Sequence, residues 1–365
     1  MDRFVWKFLI PVPTIFVLGW LIPLTSHVII RDLSGIEILA CLGPMTYQVT
    51  NLAKNYTLIF HTKAIKICIQ HMEIDWQKLE TQNDREIMKR NLKIGHDLSL
   101  ICVGCMYGGA LFFNALPLLA GSYVNEFNET IRPLAFPGTD IFIDLQKGYN
   151  YELVVCFNWG SAFFLHIIVT AICDLASTLV GHACGQVQVV IARLENLVNP
   201  EEDCESDVVE SRIAFIVETH VRTLRFAAKI DSILQEICLM EALCSTLMIC
   251  WLEYFCVTNL ENSDAFALFA YFLLLLSFCF NIFVFCHIGE LLKEQCEEVG
   301  KAAYMMEWYR LPGKTGLALM MLIAVSKYPP KLTAGQMMEL SYNSFGSIMQ
   351  TSFAYLNMLR QMGES

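Results

Sequence analysis

The side chains of this chain that could do chemistry are few and scattered. No Walker A loop, GxSxG elbow, HExxH helix or CxxC pair occurs in it. No group of histidines and carboxylates shares one predicted helix face, so no metal, no cofactor and no catalysis is expected. His166, His182 and His287 stand apart from one another and read as core or interface histidines. Two features remain. Along the last apolar stretch, steps of three and four pick out Ser344, Ser347, Thr351, Tyr355, Met358 and Met362, while the other side carries Phe345, Ile348, Met349, Phe353, Leu356 and Leu359. In hydrocarbon such a hydroxylated face needs a neighbouring helix or water, so it reads as a helix seam or as the wall of a pore. The second feature is Glu253, an acid inside an apolar run, which must face a structural partner or a wet cavity.

The elements that position these residues are membrane spans. The 365 residues are 55% hydrophobic and 12% aromatic, with a mean hydropathy of +0.47, well above soluble domains. The net charge of -11 argues against a nucleic-acid partner. Most of the 15 cysteines lie in or beside apolar runs without ligand spacing and read as packing thiols. Uncharged or nearly uncharged runs predict spans at about 8–30, 36–60, 98–124, 153–175 extending to 191, 237–260, 265–289 and 332–360. In the second, Lys54 is expected to snorkel; in the fifth, Glu241 is expected at the inner interface. Residues 315–326 form a helix too short to span. Arg3 and Lys7 precede a first span expected to be retained rather than cleaved.

Lys63, Lys66, Lys78, Arg85, Lys89, Arg90 and Lys93 make 61–96 the densest basic segment, which the positive-inside rule places in the cytoplasm. The acidic loop 125–150, with the sequon Asn128-Glu129-Thr130, belongs outside, with Asn128 as a glycosylation candidate. The acidic turn 199–203 and a solvated helix over 211–231 return the chain to the membrane. The expected fold is thus an all-α integral membrane protein of seven transmembrane helices, N-terminus cytoplasmic and C-terminus extracellular.

Particular residues then carry a resemblance. Phe285-Cys286-His287-Ile288-Gly289-Glu290, Ala303-Tyr304, Trp308, Pro329, Leu332-Thr333-Ala334-Gly335, Leu340-Ser341, Phe345 and Ser352-Phe353-Ala354-Tyr355 resemble, in order and spacing, the C-terminal signature of the insect odorant receptor family. Asp75-Trp76 and Arg85-Glu86-Ile87-Met88 resemble a loop of many hymenopteran members. The family's longer leader and its Gly-x-Trp-Pro-like element are not seen before the first span, which a shortened N-terminus would explain, and Asn281 stands where many members carry Gln.

The resemblance implies a ligand-selective subunit of an odorant-gated cation channel in the plasma membrane of olfactory neuron dendrites, assembled as a tetramer with the odorant receptor co-receptor. Residues 1–290 would hold six spans and the ligand-binding bundle, and 291–365 the cytoplasmic anchor helices and the pore helix. It implies pore-lining roles for Ser347, Thr351, Tyr355, Met358 and Met362, the two methionines forming an apolar constriction. It also implies a pocket for a small volatile ligand in the outer halves of spans two to six. There the chain offers Met45, Tyr47, Phe112, Phe113, Asn114, Phe157, Trp159, Trp251, Tyr254, Tyr271 and Phe272. A gustatory-type channel of the same superfamily and a G-protein-coupled receptor are the alternatives. The first lacks its TYxxxxxQF tail over 351–362, and the second would need the opposite topology.

Overall fold

The computed structural model describes residues 11–364 apart from 34, 80, 121–122, 125–129, 133, 146, 198–205, 262–264 and 312–314. Among them eight α-helices follow one another: α1 Pro11–Ile30, α2 Gly35–Gln77, α3 Gln82–Ala120, α4 Asn150–Glu195, α5 Ser206–Glu261, α6 Ala265–Met305, α7 Thr315–Ser326 and α8 Tyr342–Glu364. Helices α1, α3, α4, α5 and α6 are long and apolar enough to cross a membrane. Helices α2 and α8 have the length, at 43 and 23 residues, but carry more polar side chains. The 12 residues of α7 are too few to span.

The lengths explain the division of the bundle. A bilayer core needs about 20 helical residues, yet α5 has 56 and α4 has 46, so both run far beyond it. Helices α4, α5 and α6 form the centre; α3 packs on α4 and α6, and α2 and α8 pack on α5. We call the end that bears 123–150 the cavity end and the opposite end, where α2, α4, α5 and α6 overrun, the anchor end.

Several boundaries differ from the sequence reading. The basic segment 61–96 is mostly helix, because α2 continues to Gln77 and α3 starts at Gln82. The solvated helix over 211–231 and the fifth span are one helix. The third span ends at Ala120, and Tyr123–Val124 pairs with Thr130–Ile131 instead. The last helix begins at Tyr342 rather than at 332, because 332–341 fold into an antiparallel ribbon, Thr333–Ala334 against Met338–Glu339. Glu339 therefore lies on this ribbon, not on the last span. Lys331 and Lys293 lie 2.7 and 3.2 Å from its carboxylate.

The ribbon explains the sequence signature physically. Thr333 donates its N–H and its hydroxyl to Asp231 on α5 at 2.7 and 3.0 Å, while Leu332 and Ala334 are buried. Gly335 takes φ +60 and donates to the Gln235 carbonyl at 2.8 Å, with the Leu239 side chain where a Cβ would sit. Gly289 on α6 lets the Leu340 carbonyl approach within 2.3 Å of an added Cβ. Next to it, the Tyr342 hydroxyl lies 2.7 Å from His287 Nδ1 and the Tyr342 N–H reaches Glu290 at 3.2 Å. The signature is a clasp that fixes α8 onto α5 and α6.

Two buried polar clusters brace the bundle. Lys54 does not snorkel: it is fully buried, and its Nζ lies 2.6 Å from Glu241. Asn281 donates to the other Glu241 oxygen at 2.5 Å, so α2, α5 and α6 meet at one carboxylate. An unpaired charge at this depth would be expensive, and each of the two ions supplies the other's partner.

At the anchor end, Asp75 of α2 is met by three groups. His71 Nδ1 and His182 Nε2 each lie 3.0 Å from it, and Arg222 of α5 forms an ion pair with its other oxygen. Arg222 Nε–H also donates to His71 Nε2 at 3.2 Å, which fixes the His71 proton on Nδ1. His71 and Asp75 of α2 and His182 of α4 could together hold a metal ion, but Arg222 already supplies the cation. Burial pushes the His71 imidazole below its ordinary value; Asp75 pulls it up, but Arg222 and His182 add to the lowering. His220, buried with neither ring nitrogen bonded, is lowered by burial as well.

Two expectations follow. Lys54→Met should cost about 3–5 kcal/mol by stranding Glu241. The double variant Lys54→Met/Glu241→Leu should recover most of that loss, as read by the thermal unfolding midpoint of the purified protein. Because His71 and His220 are lowered, the unfolded chain takes up their protons first as pH falls, so their stabilisation is complete above about pH 6.5 and declines below it. Unfolding midpoints between pH 7.5 and 5.5 should drop, and His220→Leu should flatten that drop.

Candidate functional site

An apolar cavity of about 70 Å³ lies at the cavity end, between α1, α2, α3, α4, α5 and α6. Its walls follow from helix periodicity. Tyr47 and Gln48 face it from α2, Phe113 and Asn114 from α3, Met248 and Trp251 from α5, and Leu274 and Phe278 from α6. Helix α4 contributes Asn158, Ser161, Leu165 and His166, at steps of three, four and one. No Asp, Glu, Lys or Arg lines it.

Ring contacts hold the walls. Tyr47 meets Phe278 edge-on at 5.4 Å, and Phe255 stacks on Tyr271 at 5.4 Å. Trp251 lies over Gly43 of α2, where a Cβ would fall 2.6 Å from the indole. The outer side is closed by Phe136, from the 134–145 loop, which packs edge-on against Trp20 of α1 at 4.1 Å and tilts against Phe113 at 5.5 Å. An Arg31–Asp140 ion pair ties that loop to the end of α1. A smaller pocket of about 10 Å³, lined by Trp159, Pro117 and Leu118, shares Asn114 and Asn158 with the cavity.

Of the residues offered by the sequence for a pocket, Tyr47, Phe113, Asn114 and Trp251 line the cavity. Tyr271 stands behind Phe113 and Trp251, and Trp159 lines the smaller pocket. Phe157 packs on Phe16 of α1, Phe112 on Phe269, and Tyr254 against Phe255. Phe272 is exposed, and Met45 is half-buried and outside the lining. Sequence reasoning missed Trp20, Phe136, Gln48, Asn158, Ser161, His166, Met248 and Phe278. Gln48, Asn158 and Ser161 carried a readable signal, being polar residues within apolar runs that need a partner or a cavity. Nothing local ties Phe136, in a distant loop, to the site.

The second site is α8. Ile348, Ser352 and Leu356 are buried, whereas Ser347, Thr351, Tyr355 and Met358 are exposed. The side chain of Met362, like Asn128, lies outside the described residues. Ser347 and Thr351 donate to carbonyls one turn back, at 3.0 and 2.7 Å, so their remaining lone pairs face outward. Glu253 is buried, and Ser352 Oγ lies 3.3 Å from its Oε1. Its other oxygen has no hydrogen-bond partner among the described residues. Glu253 thus joins α5, two residues past the cavity wall at Trp251, to α8.

A bundle of long apolar helices with an apolar cavity between them has the form of a multi-pass membrane protein. The family model described as 7tm Odorant receptor matches residues 34–353, so the chain belongs to the odorant receptor family. Relatives include Odorant receptor 10 of Aedes albopictus, 23% identical over 48% of this chain and 46% of that protein. Odorant receptor 82a of Drosophila melanogaster is 24% identical over 72% of this chain and 66% of that one. The chain therefore spans about half to two thirds of the length of these relatives. The fold is that of the insect olfactory receptor OR5 from Machilis hrabei in complex with eugenol, at TM-score 0.75 and 15% identity, covering 96% of this chain and 88% of that one. This is the seven-helix fold expected from the sequence.

The walls predict a contrast. Trp251→Ala should raise the half-maximal concentration of a volatile agonist by about tenfold or more, the scale of a lost buried aromatic contact, whereas Phe272→Ala should leave it unchanged. Concentration–response curves at matched surface expression make the comparison.

Proposed function

We propose that this chain is the ligand-selective subunit of an odorant-gated cation channel, assembled with the odorant receptor co-receptor. The observation that carries the reading is the two-sided α8. One side, with Ile348, Ser352 and Leu356, packs on α5, and the other presents Ser347, Thr351, Tyr355 and Met358, exposed among the described residues. A spanning helix with an open hydroxylated face needs water or another subunit beside it, and a central pore supplies both. Met358, and Met362 one turn on, would narrow that pore and close it by dewetting.

In this reading the cavity binds the volatile, and α5 carries the response to α8 through Glu253 and Ser352. The basic residues of 61–96 keep the anchor end in the cytoplasm, with the N-terminus inside and the C-terminus outside. The overrunning ends of α4, α5 and α6, with α7, would hold the subunits together, and the cell membrane of an olfactory neuron dendrite is the location that fits.

The test is whole-cell current from cells expressing the chain with and without the co-receptor, exposed to a volatile panel while G-protein signalling is blocked. Fast cation current that needs both chains, and that a thiol reagent reduces in Thr351→Cys but not in Phe353→Cys, is expected. A signal abolished by the block, or a surface-localised pair silent to every stimulus, would refute it.

A further inference from the structure

We propose that the cavity selects small neutral ligands carrying a hydroxyl group, and that His166 is the acceptor that reads it. The inference rests on the cavity being the odorant site, and it names the chemical class that site takes.

Three acceptors converge on the cavity with no donor of their own. His166 Nδ1 lies 2.7 Å from the Ala162 carbonyl, so that nitrogen carries the hydrogen, and in the neutral ring Nε2 is left as an acceptor. Asn114 donates through Nδ2 to the Ala110 carbonyl at 2.8 Å; this fixes the amide and leaves Oδ1 buried without a partner among the described residues. Gln48 Oε1 is likewise buried without one. The lining also carries groups that give: Trp20 Nε1–H and the Ser161 hydroxyl have no partner among the described residues either.

The ligand classes separate on this pattern. A carboxylic acid or an amine would be charged, and no Lys, Arg, Asp or Glu lines the cavity to receive it. A ketone, ester or ether accepts only, so it meets the Trp20 donor and leaves His166, Asn114 and Gln48 unmet. A hydrocarbon meets none of them. A hydroxyl both gives and takes, and is the smallest neutral group that satisfies both kinds of site at once. His166 is the principal acceptor because an imidazole nitrogen outranks an amide oxygen in basicity. It is also held between Tyr47 and Tyr107, with ring centroids at 5.9 and 5.7 Å. It lies eight residues, or about 12 Å, along α4 from Asn158, at the deep end of the cavity away from Phe136. The volume of about 70 Å³ is under half of the roughly 150 Å³ that takes up benzene, so the site is matched to small ligands, and a four-carbon alcohol, about as large as benzene, enters with a shift of the wall side chains.

The experiment compares 1-butanol with its isomer methyl propyl ether and with 2-butanone, on the chain co-expressed with the co-receptor. Half-maximal concentrations are read from current, and dissociation constants from the thermal unfolding midpoint of the purified assembly. The alcohol is expected to act at a concentration about tenfold below the ether and the ketone, the scale of one hydrogen bond plus an acceptor otherwise left unpaired. His166→Phe keeps the ring and removes the acceptor; it should bring the alcohol to within about threefold of the ether while leaving the ether unchanged. Asn114→Leu and Gln48→Met should narrow the ratio less, and they decide the matter if His166→Phe fails to reach the surface.

Equal affinity for alcohol and ether in the wild type, no binding of the alcohol by either readout, or an intact ratio in the acceptor variants would overturn the proposal. Alcohol-selective binding without current would instead count against the channel reading and leave the hydroxyl assignment standing.

Discussion

A single buried carboxylate holds the middle of this bundle. Glu241 receives Lys54 from α2 at 2.6 Å and Asn281 from α6 at 2.5 Å, and all three side chains are buried. Such a pair adds little net stability over a well-packed apolar set, because both ions are desolvated. Its effect is on specificity: with the charges inside, every arrangement of α2, α5 and α6 that separates them is strongly disfavoured. The cavity residues Tyr47 and Gln48, Met248 and Trp251, and Phe278 stand on these same helices, within about three turns of the cluster. The register that the ion pair imposes is therefore the register of the cavity walls.

The anchor end uses the same device with different groups. Asp75 collects His71, His182 and Arg222 from three helices, and Arg193 of α4 reaches Asp84 of α3 at 2.8 Å. Here the cation is a guanidinium, which matches a carboxylate geometrically and keeps its charge at any physiological pH. Between the two clusters α2 and α5 run continuously, carrying Lys54 and Asp75 on one and Glu241 and Arg222 on the other, so the cavity end is braced against a stiff, charge-matched base. Helix α8 is joined to this frame at the ribbon clasp and at the Ser352–Glu253 contact. Its outward face carries Ser347, Thr351 and Tyr355.

The cavity itself is an aromatic enclosure whose polar atoms are under-satisfied. In a protein interior most buried polar groups find partners, and among the described residues Trp20, Gln48, Asn114 and Ser161, all lining one cavity, carry buried atoms that depart from that rule. Phe136 and Trp20 close the site from a loop and from α1, so access and recognition rest on different elements.

Much of this was legible in the sequence, for reasons that are local. Uncharged runs of about 20 residues must be spans because an unpaired backbone or charge in hydrocarbon is too costly. Steps of three and four placed Ser347, Thr351 and Tyr355 on one face of α8 because helix geometry is fixed. The signature Leu332-Thr333-Ala334-Gly335 was recognisable, although its role was not: only the fold shows Gly335 in a left-handed turn against Leu239, and Thr333 bonded to Asp231, 102 residues away. Apolar content over 332–341 read as helix because hydropathy cannot distinguish a span from a ribbon packed on one. Lys54 read as a snorkelling charge because no window contains Glu241, 187 residues on. The structure divides the pocket candidates for the same reason. A helix places an aromatic ring in any of several directions, and whether Trp251 faces a cavity while Phe272 faces outward is set by how six helices rotate against one another. The sequence by itself determined the spans, their polarity pattern and the family. The tertiary structure alone decided which polar groups meet, because partners that are distant along the chain are fixed only when the helices pack.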